Sequence, residues 1–196
     1  MANLDLTEQL NRHLISMEDD YLYHLSLSKK DAEMFCGVRY VVIGGSNDRM
    51  TAFAAIVAEQ LGLGSASVKS VGAHKRYVSF LVGPVFICSH GMGGPSISIL
   101  LNEIAKLLIY ANANAVWIRM GTCGGIGLEA GSIAITKQSY NAKLEPYHES
   151  YVLGKLIQRP ASFDDNLSRR LQEVSKSIGY DAFIGKTMTA DDFYEG

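Results

Sequence analysis

Ala115-Val116-Trp117-Ile118-Arg119-Met120-Gly121-Thr122-Cys123-Gly124-Gly125-Ile126-Gly127 decides how this chain reads. A short apolar run, strand-like, breaks into a glycine-rich loop. Buried strands avoid arginine, so Arg119 at the end of one is expected to point into a polar cleft. Glycines let the backbone turn and present N–H groups. A guanidinium, the Thr122 hydroxyl and free amides together suit an anion. The pattern recurs twice upstream. Val41-Val42-Ile43 runs into Gly44-Gly45-Ser46-Asn47-Asp48-Arg49, and Val85-Phe86-Ile87-Cys88 runs into Ser89-His90-Gly91-Met92-Gly93-Gly94-Pro95-Ser96. In open α/β sheets, ligands sit at the carboxyl ends of strands. One composite site built from three loops is expected.

With 196 residues, 47% of them hydrophobic, the chain can bury a sizeable core and reads as one domain or most of one. A net charge of −2 gives no electrostatic footprint for nucleic acid. The polar, acidic start is no signal peptide, and the longest apolar run, around Phe80–Cys88, is broken by Gly83-Pro84. Cys36, Cys88 and Cys123 are too scattered for a disulfide frame or a zinc site. The five histidines lack metal spacing. These observations describe a cytoplasmic protein with no membrane or nucleic-acid partner and no metal.

Along the chain, residues 1–35 read as an arm with a short helical pattern at Leu4, Leu6, Leu10 and Leu14. Gly37 to Ile43 reads as the first core strand. Arg49 to Leu61 reads as a helix with Met50, Phe53, Ile56, Val57 and Leu61 inward. Tyr77–Val82 and Val85–Cys88 flank Gly83-Pro84 and predict a hairpin. Ser96 to Ala111 reads as a buried helix with Ile97, Leu100, Leu101, Ile104, Leu107 and Leu108 inward. Ala115–Ile118 and Ser132–Thr136 are further strands. Asp164 to Ile178 reads as an amphipathic helix with Leu167, Leu171, Val174 and Ile178 inward, capped by Gly179. Residues 139–160 read as irregular.

Several motifs dissolve on inspection. Gly91-Met92-Gly93-Gly94-Pro95-Ser96 has Ser96 where a dinucleotide fingerprint needs its third glycine, and Pro95 at a helix start instead. Gly185-Lys186-Thr187 lacks the upstream glycine of a P-loop and reads as a strand end. Ser96 lacks the nucleophile elbow. Cys123 reads as a small residue filling a tight loop, and His90 as packing near the loop. Arg49, at a helix start, is electrostatically unfavourable there unless an anion is present. Arg119 on a buried strand, with no acidic residue in 115–128, needs an anion ligand. A bound oxyanion, phosphate, is the reading.

At Gly44–Met50, Ser89–Ile99 and Arg119–Gly127 the residues match a family. The chain resembles uridine phosphorylases of the animal type, in the nucleoside phosphorylase-I superfamily. The match runs from Tyr23-His24-Leu25-Ser26-Leu27 to Asp192-Phe193-Tyr194-Glu195-Gly196. The resemblance implies a three-layer αβα sandwich around a twisted mixed β-sheet. It implies phosphorolysis: uridine and phosphate give uracil and ribose 1-phosphate, reversibly, with no cofactor beyond the phosphate co-substrate. Residues matching Gly45, Arg49, Arg119 and Thr122 hold phosphate, joined by Arg76 from a neighbouring subunit. The residue matching His24 crosses the same homodimer interface to the ribose 5′-hydroxyl. Met92 matches a ribose contact. Thr122, Cys123 and Gly124 match the loop between phosphate, sugar and base, and Phe193 matches the aromatic that stacks on the base. Arg119 and Thr122 are the expected catalytic residues.

Departures from the pattern keep other readings open. The family's base-reading glutamine and arginine follow the segment matching Phe193–Gly196, and its ribose-binding glutamates follow too. Residues 1–196 are therefore expected to form one nucleoside phosphorylase domain lacking its C-terminal portion. Cys123 stands where relatives carry threonine or serine, and a thiol is a weaker hydrogen-bond partner. Tyr77 stands where bacterial relatives carry a glutamate for a monovalent cation. The alternatives are a phosphorylase preferring purine nucleosides, a hydrolase using water, and a weak or inactive paralogue that keeps the fold.

Overall fold

The computed structural model describes residues 17–73, 76–192 and 194. The leucines of the expected N-terminal arm, Leu4 to Leu14, lie outside the described residues. By its internal contacts the chain divides into two compact units, Met1–Thr122 and Cys123–Gly196.

In the first unit, β1 (Tyr21–Leu22) pairs with β2 (Leu27–Ser28), and a 3-10 turn follows at Lys29–Phe35. The central sheet then assembles from β3 (Tyr40–Gly44), β4 (Lys69–Ser70), β5 (Ser79–Val82), β6 (Val85–Ser89) and β7 (Val116–Met120). Its order is β4-β5-β6-β3-β7. β3 runs parallel to both β6 and β7, whereas β5 is antiparallel to β6 and to β4, so the sheet is mixed. The expected hairpin is present: Val82 pairs with Val85 across Gly83-Pro84, with Gly83 at φ 53°. Glycine supplies that left-handed conformation at the first turn position, and Pro84 cannot disturb a ladder from there.

Alternation along β3 explains the layers. Val41 and Ile43 join Phe86 and Cys88 on one face, against Leu100, Ile104, Leu107 and Leu108 of α2 (Gly94–Tyr110). Val42 joins Phe80, Val82 and Ile87 on the other face, against Met50, Ala54 and Ala58 of α1 (Asn47–Gln60). The result is helix, mixed sheet, helix, the expected three layers. Fully buried side chains such as Phe86, Leu100 and Leu107 each contribute about 1.5–3 kcal/mol of apolar burial.

The helix faces differ in part from the sequence reading. α1 begins at Asn47, two residues earlier than expected, because Ser46 caps it by accepting from the Arg49 N–H at 3.4 Å. Its buried face centres on Met50, Ala54 and Ala58, with Phe53 and Val57 at the margin. Ile56 and Leu61 are exposed. Small alanines let this helix approach the sheet closely, which displaces the larger residues to the side. In α2 the expected Leu100, Ile104, Leu107 and Leu108 are buried, Ile97 is partly buried, and Leu101 is exposed.

In the second unit, β8 (Ile133–Tyr140) pairs in parallel with β11 (Ala182–Met188). α3 (Asp165–Ser177) packs on both strands, with Asp164 capping its start by accepting from the Leu167 N–H at 2.7 Å. Its buried residues are Ser168 and Ser175, not the expected Leu171, Val174 and Ile178, which are exposed. The periodicity was right and the face is rotated by one residue. A two-stranded platform covers only a narrow stripe, and Gln172 and Ser175 fill it by donating to the carbonyls of Ala182 and Tyr180. Residues 147–160, expected to be irregular, form a hairpin of β9 (Tyr147–Val152) and β10 (Lys155–Pro160). Its turn has both central residues at positive φ, Leu153 at 49° and Gly154 at 77°. That is the pattern of a type I′ turn, which ordinarily carries asparagine or aspartate at the first position. Lys186-Thr187 lies inside β11 rather than at its end.

Candidate active site

Three parallel strands place the three glycine loops side by side. Ile43 of β3 stands level with Cys88 of β6 and Arg119 of β7, and Gly44 stands level with Ser89 and Met120. Each strand therefore stops at the same height. The loops are stitched together there. The His90 N–H donates to the Gly44 carbonyl at 2.7 Å. A Cβ at Gly45 would lie 3.4 Å from the Gly91 carbonyl oxygen and 3.6 Å from His90 Cε1. At Gly44, the last residue of β3, a Cβ would come within 2.6 Å of the Met50 methyl and 3.1 Å of the Met120 carbonyl oxygen, so a side chain there would make Met50 move and crowd the β7 backbone.

The cations converge on this floor. Arg49, in the first turn of α1, donates from Nη1 to the Thr122 hydroxyl at 3.3 Å, linking the β3 loop to the β7 loop. The Arg119 guanidinium folds back over Gly121, where an added Cβ would lie 2.9 Å from Nη1. Substituting Gly121 would thus push Arg119 out of place. Neither arginine makes an ion pair with a carboxylate among the described residues. One expectation is corrected. Arg119 is not on a buried strand: β7 is the edge of the five-stranded sheet, and both Trp117 and Arg119 are exposed. The case for an anion here rests on the Arg49–Thr122 link at a helix start and on an Arg119 guanidinium that lies over Gly121 with no ion pair among the described residues, not on the cost of a buried charge.

His90 lies beneath, only 5% exposed, with neither ring nitrogen hydrogen-bonded to any of the described residues. Burial, and then the charge of Arg119, hold its pKa below the ordinary histidine value. The carbonyls of His90 and Gly91 lie close enough to offset part of that shift without hydrogen-bonding geometry. The imidazole is neutral at neutral pH and supports the loops from within.

A second group gathers His24 and Arg76, the two residues the resemblance assigns to a neighbouring subunit. With Tyr21, Tyr23 and Ser26 they line one recess of about 280 Å³. Arg76 donates from Nε to the Tyr77 hydroxyl at 3.1 Å, and that hydroxyl donates to the Ser96 carbonyl at 2.7 Å. His24 contacts Glu103 of α2 through Nδ1 at 2.6 Å. The sequence reading missed Glu103 and the bracing role of Tyr77. A carboxylate among the apolar residues of α2 was the available signal. Met92 is 88% exposed on the β6 loop. Cys123 and Gly124 continue the β7 loop and are exposed. Phe193 lies outside the described residues.

Residues 39–196 match the family model described as the phosphorylase superfamily. The chain belongs to the phosphorylase superfamily. It is 41% identical over 194 residues to Uridine phosphorylase 1 of Mus musculus, an alignment covering 95% of this chain and 62% of that protein. It is 35% identical over 192 residues to Inactive uridine phosphorylase B of Schistosoma mansoni, covering 95% of this chain and 65% of that protein. The chain therefore spans less than two thirds of the length of these curated relatives. Among solved structures it is similar to uridine phosphorylase from Schistosoma mansoni in complex with uracil. There the TM-score is 0.88 at 36% identity, over 95% of this chain and 67% of that one. The resemblance read from the three loops is borne out.

Proposed function

We propose that this phosphorylase-superfamily chain belongs to a uridine phosphorylase and carries its phosphate-binding half. The observation that carries the reading is the Arg49–Thr122 link with Arg119 folded over Gly121, at the carboxyl ends of three level parallel strands. Two guanidiniums, a hydroxyl and the amides of the Gly45 loop make a clamp for a phosphate dianion. The glycosidic bond of uridine breaks as positive charge develops on the ribose, and the clamped phosphate attacks the anomeric carbon. Uracil leaves and ribose 1-phosphate forms. The protein's contribution is to position the dianion and stabilise its charge, without covalent activation. No cofactor is called for beyond phosphate. In this reading Thr122, Cys123, Gly124, Met92 and Phe193 contact the nucleoside. His24 and Arg76 act across a homodimer interface, residues 1–196 belong to one phosphorylase domain, and the enzyme works in the cytoplasm.

The test is uracil release from uridine by the full-length protein, with and without phosphate. Strictly phosphate-dependent release is expected. Equal release without phosphate would establish a hydrolase instead, and release of base only from purine nucleosides would move the substrate. A second reading is a protein that binds phosphate without turnover; one relative that this chain matches is named as inactive. The exposed Cys123, a weak hydrogen-bond partner beside Thr122, points the same way. Phosphate binding with no release from either nucleoside class would select it.

A further inference from the structure

Glu103 is a carboxylate with an unusual set of partners. It sits on α2 one turn from Leu100 and Leu107 and next to Ile104, all fully buried. The mount is therefore rigid. Its side chain is only 15% exposed. One oxygen, Oε1, accepts from the His24 backbone N–H at 3.1 Å and meets His24 Nδ1 at 2.6 Å. The other, Oε2, accepts from the Leu25 N–H at 2.8 Å. An ionised carboxylate only accepts, so all three partners are donors and Nδ1 carries the imidazole proton. Tyr23 closes the other side of the ring, edge-on at 5.2 Å. Ring rotation, tautomer and backbone are thus all set at one residue.

We infer that Glu103 is the positioning residue for His24: it holds a proton on Nδ1 and turns Nε2 toward the recess where a ribose hydroxyl is offered, so that the neutral ring presents its lone pair there. This rests on the phosphorylase reading above, in which His24 meets the 5′-hydroxyl. A histidine's free nitrogen is defined by the hydrogen bond that the other nitrogen makes. Without Glu103 the imidazole turns freely and exchanges tautomers, and a neutral ring with its proton on Nε2 can no longer accept from the hydroxyl. Both Glu103 oxygens are taken up by His24 and Leu25, so the loss should be confined to substrates that possess that hydroxyl.

The experiment compares uridine with 5′-deoxyuridine as substrates of the full-length enzyme. Glu103→Ala is expected to lower kcat/KM for uridine by about 10- to 100-fold, as for other partners that orient a histidine. The loss on 5′-deoxyuridine should be under about twofold, because that substrate makes no such bond. In a His24→Ala background, Glu103→Ala should add less than about a further twofold, since the two residues act as one unit. The ¹⁵N shifts of the His24 ring should report Nδ1–H in the wild type and lose that signature in Glu103→Ala. If Glu103→Ala does not fold, Glu103→Gln keeps the shape without the charge. It should cut the preference for uridine over 5′-deoxyuridine by at least about threefold. Equal losses on both substrates, or full additivity with His24→Ala, would overturn the inference. A wild-type enzyme that releases no uracil from either substrate would instead overturn the phosphorylase reading beneath it.

Discussion

The two units are made from the same chemistry and bury it differently. Residues 1–122 hold nearly every buried apolar side chain among the described residues, arranged on both faces of one sheet. Among the described residues of 123–196, only Ala182 is a buried hydrophobic residue, while Ile126, Leu153, Ile178 and Met188 are exposed. The second unit is organised by backbone pairing and polar caps: a parallel strand pair, a hairpin, and a helix seated on serine and glutamine. A core on two faces fixes each layer, whereas a two-stranded platform fixes only a stripe. The three glycine loops grow from the first kind of structure, which holds them level.

The largest expected effect probes the first unit's core. Phe86 is fully buried, edge-on to Phe35 at 5.1 Å between ring centroids. Phe86→Ala should destabilise the protein by about 3–5 kcal/mol through lost transfer energy and the cavity left behind. A urea titration followed by tyrosine and tryptophan fluorescence measures it. A loss under about 1 kcal/mol would mean that the sheet's central layer collapses freely and is not the rigid scaffold described here.

Next comes the clamp. Arg119→Ala should lower turnover on uridine with phosphate by on the order of 10²–10³, the cost of removing one preorganised charge from the site. Thermal stability should barely change, since Arg119 is exposed and makes no ion pair among the described residues. A near-normal rate would remove Arg119 from the chemistry and leave Arg49 and Thr122 as a structural link.

His90 gives a smaller, pH-dependent effect. Its folded pKa is depressed by burial and by Arg119, while the unfolded chain titrates near the ordinary value of about 6.5. Below about pH 6.5 the unfolded state binds a proton that the folded state refuses, so stability falls as pH falls through that window. Urea midpoints at about pH 7.5 and pH 5.5 should differ more in the wild type than in His90→Asn. Equal differences would show that His90 finds a partner in solution.

Legibility in the sequence followed the same divide. Each strand ending in a glycine loop was readable because a two-sided sheet enforces continuous apolar runs: Val41-Val42-Ile43 and Val85–Cys88 had no other place to go. Arg49, Thr122 and Arg119 were readable as candidates for an anion site from residue type alone. Their geometry was not, because the edge position of β7 depends on strand order, and order is a long-range property. Glu103 was hidden because its partners, His24 and Leu25, are far away in sequence. The hairpin at 147–160 was missed because Leu153, not asparagine, takes the left-handed turn position. The face of α3 was misread by one residue because serines, not leucines, meet the strands.

That misreading supplies the smallest and most discriminating prediction. Ile178, at the end of α3, is 66% exposed, and its side chain belongs to the apolar stripe that the sequence pointed inward. If the stripe is solvated in the protein, Ile178→Ser should change stability by no more than about 0.5 kcal/mol, as for surface substitutions generally. The matched control is Leu107→Ser on α2, where a fully buried leucine becomes a polar group with no partner. That control should lose several times more, since it combines a cavity with a buried hydroxyl. A loss at Ile178 comparable to the control would reverse the contrast between the units. It would mean that the helical pattern of Leu167, Leu171, Val174 and Ile178 was read correctly after all, and that in the full-length protein this stripe is covered.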